Sequence, residues 1–427
     1  GQVSEAEVGA HNVTIAVTDA TVTVNQDFMI TVAADASGNW QLVWSDEFDG
    51  DAIDATKWSH EVNCWGGGNS EQQCYTDRDV NSSVSDGILT ITAQREDFTG
   101  ANNPDGDNSQ TATLPYTSAR LRTIDKGDWQ YGRFEIRAKL PFGQGTWPAI
   151  WMLPTDWVYG GWPRSGEIDI MEAVNLKVMN NGAAEASVHG TLHYGQAWPD
   201  NVSSGEGYTL PNDANPADDF HTYAIEWEES EIRWYVDGVH FATHRDTGWY
   251  TQYVDNGELV NGTGDAPFDQ RFHLLLNLAV GGNWAANTHD QGVNEAIFPQ
   301  TLEVDFVRVY ECSVLPEKGT GCATVGTNPT IVEGNAAPEI IPPIANFGEG
   351  PVFNLYQDAL IEGLAFNSYD PDNNVTSQEI AVDGKGSVIE MIKDGATGNL
   401  YLEYPPKVDL SHFSGDGELV FDIRVTS

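Results

Sequence analysis

A segment from position 165 to position 172 alternates carboxylates with apolar residues. A β-strand turns successive side chains to opposite faces, so this period predicts a strand with Glu167 and Asp169 on the same face. Glu172 is out of phase, because a regular strand would turn it toward the opposite, apolar face. One extra residue inserted as a β-bulge near Ile170 or Met171 would bring all three acids to one surface.

Three like charges on one face raise one another's pKa and cost free energy. The cluster therefore indicates a catalytic role rather than a stabilising one. A retaining glycosidase needs an ionised carboxylate and a protonated carboxyl about 5–5.5 Å apart. We predict Glu167 as the nucleophile and Glu172 as the acid/base, with Asp169 positioning Glu167 and helping to hold Glu172 protonated. The alternative is a solvated strand face, which so acidic a chain could contain by chance.

The acidic segment resembles the signature of glycoside hydrolase family 16, and the extra methionine resembles the bulged laminarinase branch of that family. The resemblance covers roughly residues 40–311 and includes five further motifs: Trp44–Phe48, Tyr131–Glu135, Gly145–Leu153, Leu276–Trp284 and Val304–Tyr310. It implies an all-β fold, a β-jelly roll of two curved antiparallel sheets with a glucan cleft along the concave face.

The same resemblance implies residues that bind substrate. Sugar rings stack on aromatic side chains while polar groups fix their hydroxyls. The positions that match are Trp147, Trp151, His193, Trp284, Asn69 and Arg120. For any single tryptophan the alternative is core packing, and His189 could face the cleft as well as His193.

A structural calcium ion also enters by resemblance. Relatives often hold the ion with two acids and a backbone carbonyl on the convex face, and Glu47, Gly87 and Asp305 match these positions. Calcium accepts oxygen ligands from distant parts of a chain. The alternative is an ordinary pair of surface acids.

Charge and apolar patterning restrict the partners. Lys and Arg total 20 against 64 Asp and Glu, a net charge of −44. This balance argues against nucleic acid and anionic membranes as partners and suits an uncharged substrate, although it also favours solubility in a salty medium. No apolar run approaches the roughly 18 residues of a membrane span, and no signal-peptide pattern is present, so we expect a mature, soluble, monomeric chain.

The four cysteines form two close pairs, Cys64 with Cys74 and Cys312 with Cys322. Their spacing does not match a zinc site, so two local disulfides are expected. Disulfides indicate an oxidising compartment and hence secretion.

Strand signals dominate the chain. An Asp237-Gly238 pair between alternating segments predicts a hairpin with a type I′ turn. We predict an N-terminal β-like segment over 1–38, the catalytic domain over 39–312, a linker over 313–345, and a partial carbohydrate-binding-like β module over 346–427.

Together these patterns and the resemblance predict a secreted endo-β-1,3-glucanase that hydrolyses laminarin-type glucans with retention. A mixed-linkage β-1,3-1,4-glucanase and a noncatalytic β-glucan-binding protein are the alternatives. Both glutamates are present, which disfavours the noncatalytic one.

Overall fold

The computed structural model describes residues 36–180 and 182–340, together with the backbone of six outlying strands. The chain divides into two compact units, Gly1–Ala337 and Pro338–Ser427. Within the described residues, no helix is long and apolar enough to cross a membrane.

The described elements are almost all strands. In chain order they are β1 (Gly9–Thr18), β2 (Thr23–Val32), β3 (Trp40–Asp46), β4 (Ser59–His60), β5 (Gln73–Tyr75), β6 (Ser82–Ser85), β7 (Ile88–Ala101), β8 (Thr111–Ser118), β9 (Arg120–Arg122), β10 (Asp128–Trp129), β11 (Gly132–Lys139), β12 (Thr146–Pro154), β13 (Glu167–Glu172), β14 (Met179–Asn180), β15 (Ala183–Ala184), β16 (Ser187–Gly195), β17 (Asn201–Thr209), β18 (His221–Glu228), β19 (Glu231–Val236), β20 (Val239–Arg245), β21 (Gln252–Asp255), β22 (Glu258–Asn261), β23 (Phe272–Val280), β24 (Gln300–Cys312), β25 (Thr330–Val332), β26 (Ala365–Tyr369), β27 (Val375–Val382), β28 (Gly386–Lys393) and β29 (Asn399–Glu403). One short helix, α1 (Gly282–Ala285), follows β23.

Two large sheets form the first unit. The cleft sheet has the order β17-β16-β13-β12-β23-β9-β4, with β10 also paired to β23. The outer sheet has the order β25-β20-β19-β18-β11-β24-β7-β8-β5, with β3 paired to β24 and β6 to β7. This architecture confirms the predicted all-β jelly roll of two sheets, in which all pairs are antiparallel except β20 with β25 and β5 with β8.

The inner faces of the two sheets form one hydrophobic core. Strand β11 shows the expected period of two, since alternate residues such as Phe134 and Ile136 are fully buried. Ile168 of β13 and Leu276 of β23 contribute from the cleft sheet. The core therefore covers one face of β13 and leaves the other face to the cleft.

The predicted hairpin joins β19 to β20. Asp237 and Gly238 have φ angles of 49° and 76°. Positive φ at both central residues is what a type I′ turn requires, so the prediction is confirmed.

Both predicted disulfides are present, Cys64–Cys74 and Cys312–Cys322. The second one lies at the start of the stretch that was expected to be a linker.

Part of the stretch predicted as a linker, residues 313–345, makes defined contacts with the catalytic sheets. Thr330–Val332 forms β25, which pairs in parallel with β20. The Tyr235 hydroxyl donates to the Thr324 carbonyl at 2.8 Å, and the Asn335 backbone N–H donates to the Tyr194 hydroxyl at 3.0 Å. Residues 313–337 therefore pack on the catalytic sheets. These contacts were not predicted, because a three-residue parallel strand and isolated polar contacts leave no periodic signal in the sequence.

The terminal segments are described in part. Within residues 1–38, strands β1 and β2 pair with each other in antiparallel fashion. In the second unit β26 pairs with β29, and β27 with β28. Residues 404–427 lie outside the described residues, and the carbohydrate-binding-like module over 346–427 stays a prediction.

Candidate active site

The bulge in β13 decides which side chains reach the cleft. On the β12 side, Trp151 pairs with Asp169 while the preceding residue, Ile150, pairs with Met171, so Ile170 has no partner position. On the β16 side the ladder shifts in the same interval. One extra residue thus lies where the sequence predicted it.

The bulge has a direct effect on the acids. Ile170 and Met171 are 3% and 0% exposed, so two consecutive apolar residues occupy the core side. Glu172 thereby returns to the face that carries Glu167 and Asp169. The structure brings the three predicted acids together on one surface.

Glu167 lies at the start of β13. The indole Nε1 of Trp162 donates to Glu167 Oε2 at 2.5 Å. Burial raises the pKa of Glu167 to about 7, whereas hydrogen bonds from Trp162 and Asp169 and the charge of Arg120 oppose that rise. These three neighbours favour the ionised form, which a nucleophile needs.

Glu172 has different surroundings. The indole Nε1 of Trp147 donates to Glu172 Oε1 at 2.8 Å. Burial raises the pKa of Glu172 to about 7, and the negative charges of Glu167 and Glu71 raise it further, against the opposing effects of Trp147 and His193. A carboxyl held protonated near neutral pH suits a proton donor.

Asp169 is the most deeply buried of the three acids, at 2% exposure. Burial and the charges of Glu172 and Glu167 hold its pKa well above the usual range. Its Oδ2 lies 3.4 Å from His193 Nε2. The raised pKa of Asp169 favours its protonated form, which can donate a hydrogen bond to Glu167.

Aromatic rings surround the acids. Trp147 and Trp284 meet edge to face, with ring centroids 5.5 Å apart, on the Glu172 side. His189 contacts the same Trp284 ring at 5.3 Å. On the Glu167 side, the rings of Trp162 and His193 lie 6.0 Å apart.

Polar neighbours fix the three other predicted residues, Trp151, Arg120 and Asn69. The indole Nε1 of Trp151 donates to Asn277 Oδ1 at 2.7 Å, and the Arg120 guanidinium lies over the Trp151 ring at 5.2 Å. Arg120 is only 7% exposed and pairs with Glu61 at 3.1 Å. The exposed Asn69 accepts a backbone hydrogen bond from Asn283 at 2.7 Å, which links it to the turn that carries Trp284.

The six residues predicted to bind substrate are thus arranged around the acids, and their contact with sugar stays a prediction. Sequence reasoning missed Trp162 and Glu71. The Gly161-Trp162-Pro163 turn just before β13 was the available signal for Trp162. The sequence offered no signal for Glu71, because its contact with the site depends on how a distant loop folds.

The candidate calcium residues converge at one point of the outer sheet. Strand β24 pairs with β7 up to Val304 and with β3 from Val307. Asp305 lies in the gap between these two ladders, where β7 begins just after Gly87 and β3 ends just before Glu47. By position, two acids and a carbonyl fit an oxygen-ligated cation.

Both of these acids already have cationic partners. Arg308 donates to the two carboxylate oxygens of Glu47 at 2.9 and 2.7 Å. Arg137 donates to Asp305 Oδ2 at 2.5 Å. A bound calcium would have to share or replace these arginines. Within the described residues, the one clustered set of three acid or imidazole donors is Glu167, Asp169 and His193, with ligand atoms within 4.8 Å of one another.

A jelly roll with two glutamates flanking a buried aspartate on one strand defines a class of protein, the glycoside hydrolases. Comparison with known proteins gives the particular family. Residues 40–312 match the family model described as "Beta-porphyranase A-D, GH16 domain". The chain belongs to glycoside hydrolase family 16.

Two curated relatives are similar over the same region. The chain is 40% identical to glucan endo-1,3-β-glucosidase A1 of Niallia circulans over 299 residues, which are 68% of this chain and 41% of that protein. It is 43% identical to a β-glucanase of Rhodothermus marinus over 284 residues, 65% of this chain and 87% of the relative.

Two solved structures share the fold. An endo-β-1,3-glucanase from Pyrococcus furiosus is 31% identical with a TM-score of 0.50, covering 64% of this chain and 94% of that one. A non-specific endo-β-1,3(4)-glucanase of family 16, co-crystallised with 1,3-β-D-cellotriosyl-glucose, is 35% identical with a TM-score of 0.50, covering 64% of this chain and 95% of that one.

Proposed function

We propose that this chain is a secreted endo-β-1,3-glucanase that hydrolyses laminarin-type glucans with net retention of configuration. The observation that carries the proposal is the bulged strand β13, which places Glu167 and Glu172 on one face with Asp169 between them. The relatives named as β-1,3-glucanases support the linkage. The two disulfides support secretion.

The proposed mechanism has two steps. Glu172 protonates the departing glycosidic oxygen while the Glu167 carboxylate attacks the anomeric carbon, which breaks the C–O bond and forms a glycosyl ester on Glu167. Glu172, now ionised, takes a proton from water, and that water releases the sugar from Glu167. Asp169 holds the Glu167 carboxylate by a hydrogen bond, and Trp162 donates a second one.

Mixed-linkage activity is the second candidate. One structural relative is called a non-specific endo-β-1,3(4)-glucanase, and a Rhizobium meliloti relative, 30% identical over 264 residues, is called an endo-1,3-1,4-β-glycanase. The bulged strand favours the β-1,3 enzymes instead, since the extra residue resembles the laminarinase branch of the family.

The noncatalytic alternative also has a named relative, the β-1,3-glucan-binding protein of Penaeus monodon, which is 35% identical over 276 residues. Glu167 and Glu172 are both present here, and each is held by an indole N–H. A binding protein has no need of two carboxyls prepared in this way, so we favour the enzyme.

A product profile on laminarin, curdlan, lichenan, agarose and porphyran tests the proposal. We expect laminarin to be cleaved to oligosaccharides of mixed length, and proton NMR to show the β-anomer as the first product. Exclusive cleavage of lichenan or porphyran would overturn the proposed linkage, and an α-anomer formed first would overturn retention.

We further propose that Glu47, Gly87 and Asp305 hold a structural calcium ion. A cation joining β3, β7 and β24 would stabilise the folded state, by about 2.7 kcal/mol at a hundred times its dissociation constant. We expect EDTA to lower the melting temperature with little effect on turnover at 25 °C, and Asp305→Asn to remove the EDTA effect. A melting curve indifferent to EDTA, in a protein purified without metal, would exclude the ion.

A further inference from the structure

The loop that carries Trp284 borders the acid/base side of the cleft. Residues 282–292, here called the Trp284 loop, follow β23 and begin with α1. The Trp284 ring contacts Trp147, which in turn donates its hydrogen bond to Glu172. The position of this loop therefore determines the shape of the cleft beside the proton donor.

Gln144 lies beneath the loop and is 5% exposed. Its Nε2 lies 2.9, 3.1 and 3.0 Å from the carbonyl oxygens of Ala285, Thr288 and Gly292, and its Oε1 accepts from the Asp290 backbone at 3.2 Å. A primary amide has two N–H donors and one acceptor oxygen, and all of them are directed at this loop.

Asn175 holds the loop from a second side and is fully buried. Its Nδ2 donates to the Ala285 carbonyl at 2.9 Å and to Thr288 Oγ1 at 3.1 Å. Its Oδ1 accepts from the Gly145 backbone at 2.6 Å, just before β12. The loop is thereby tied to the strand that carries Trp147.

An imidazole fixes the far end of the loop. His289 is 6% exposed by its side chain, and its Nε2 lies 2.9 Å from Glu185 Oε2. Its Nδ1 lies 3.1 Å from the amide nitrogen of Asn175. Carbonyl groups in a loop without strand partners need donors of this kind, because an unpaired buried carbonyl is costly.

We infer that Gln144 and Asn175 are positioning residues that hold Trp284 in place as a sugar-stacking platform beside Glu172. Their side-chain hydrogen bonds go to the loop and to the Gly145 backbone, so they act on substrate through Trp284. The inference rests on the proposed function, since it assigns a sugar-binding role to the Trp284 ring. It makes Gln144 a determinant of polymer affinity, although its own side chain is buried below the cleft.

The variant Gln144→Met tests this inference, because methionine keeps the length of the side chain and removes its hydrogen bonds. We expect KM for laminarin to rise about tenfold, the size of one aromatic contact, with kcat within about threefold of the wild type. The matched control is Gln300→Met, which removes a buried amide that contacts Phe142 and Ile297 outside the loop. The control should leave KM unchanged.

A double-mutant cycle separates positioning from a general loss of stability. Trp284→Ala should raise KM to a similar extent, and adding Gln144→Met to it should raise KM little further, because both changes remove the same contact. Additive effects of the two substitutions on KM would overturn the inference.

Hydrogen exchange gives a readout that needs no substrate. Gln144→Met should speed amide exchange in residues 282–292 and leave β13 unchanged, whereas Gln300→Met should leave the loop protected. Unchanged exchange in the loop would overturn the inference even if the wild type proved inactive on laminarin. Failure of the wild type to cleave laminarin, with faster exchange in the variant, would overturn only the proposed function.

Discussion

Glu167 and Glu172 are chemically identical side chains on one face of the strand. Their neighbours favour a different catalytic role for each. Glu167 is near the Arg120 charge and accepts hydrogen bonds from Trp162 and Asp169, all of which favour an ionised nucleophile. Glu172 is near the negative charges of Glu167 and Glu71, which favour a protonated donor. Burial raises the pKa of both groups to about 7, so the assignment of roles rests on these neighbours and not on a difference in pKa.

The raised pKa values predict how stability depends on pH. A carboxyl whose pKa rises from 4.5 in the unfolded chain to about 7 in the folded one binds its proton more tightly when folded. The stabilisation is fully present below about pH 4.5 and is lost as the pH rises through about 7. We expect a loss on the order of 3 kcal/mol for each group, since one pKa unit corresponds to about 1.4 kcal/mol.

Thermal melts between pH 4.5 and pH 8 check this prediction. The double variant Glu167→Gln with Glu172→Gln should melt with a flatter pH dependence than the wild type, because amides do not titrate. A wild-type melting temperature that rises steadily from pH 4.5 to pH 8, with the same rise in the double variant, would contradict the assigned pKa shifts.

At the scale of the element, the bulge in β13 determines where the Glu172 carboxyl lies relative to the glycosidic oxygen of a bound substrate. Deleting Ile170 would give a regular strand in which Glu172 still faces the cleft but is moved along the strand. We expect the variant to fold, to bind laminarin, and to lose most of its rate, because a misplacement of about 1 Å can cost on the order of 10²-fold. Circular dichroism, affinity electrophoresis and initial rates measure the three quantities.

A deletion variant with near-normal turnover would show that the bulge has no part in placing the acid/base. The substitution Ile170→Val keeps the bulge and serves as the control. It should retain the wild-type rate and lose only the stability of one buried methylene, typically 0.5–1.5 kcal/mol.

Local signals explain which elements could be predicted from the sequence. The period of two in β13 and the Asp237-Gly238 turn are encoded by adjacent residues, so both were predictable. Glu71 and Gln144 were not, because their contacts depend on the paths of loops far apart in the chain. The short strand β25 was missed for the same reason, since Thr330 pairs with Ala242 of β20, 88 residues earlier.

At the scale of the whole molecule, the catalytic unit extends past the second disulfide. Residues 313–337 add β25 to the outer sheet and place Asn335 against Tyr194. A chain ending at residue 337 should therefore keep the wild-type melting transition of the catalytic unit and its kcat. A chain ending at residue 312 loses Cys322 and these contacts, and we expect it to melt several degrees lower.

Calorimetry of the two truncated chains, beside the full-length protein, measures the difference. Equal melting temperatures for the chains ending at 312 and 337 would show that residues 313–337 contribute nothing to the catalytic unit. In the chain ending at residue 337, the double substitution Cys312→Ser with Cys322→Ser removes the disulfide and keeps the contacts of β25. Its melting temperature separates the two contributions.

The central claim, that Glu167 is the nucleophile and Glu172 the acid/base, is tested most directly by azide rescue. Glu167→Ser and Glu172→Ser are each given an activated aryl β-glycoside of a β-1,3-gluco-oligosaccharide together with sodium azide, and the products are identified by NMR. The account predicts an α-glycosyl azide from Glu167→Ser, because azide attacks from the vacated face. It predicts a β-glycosyl azide from Glu172→Ser, because azide attacks the glycosyl ester on Glu167. The opposite anomers would contradict the assignment.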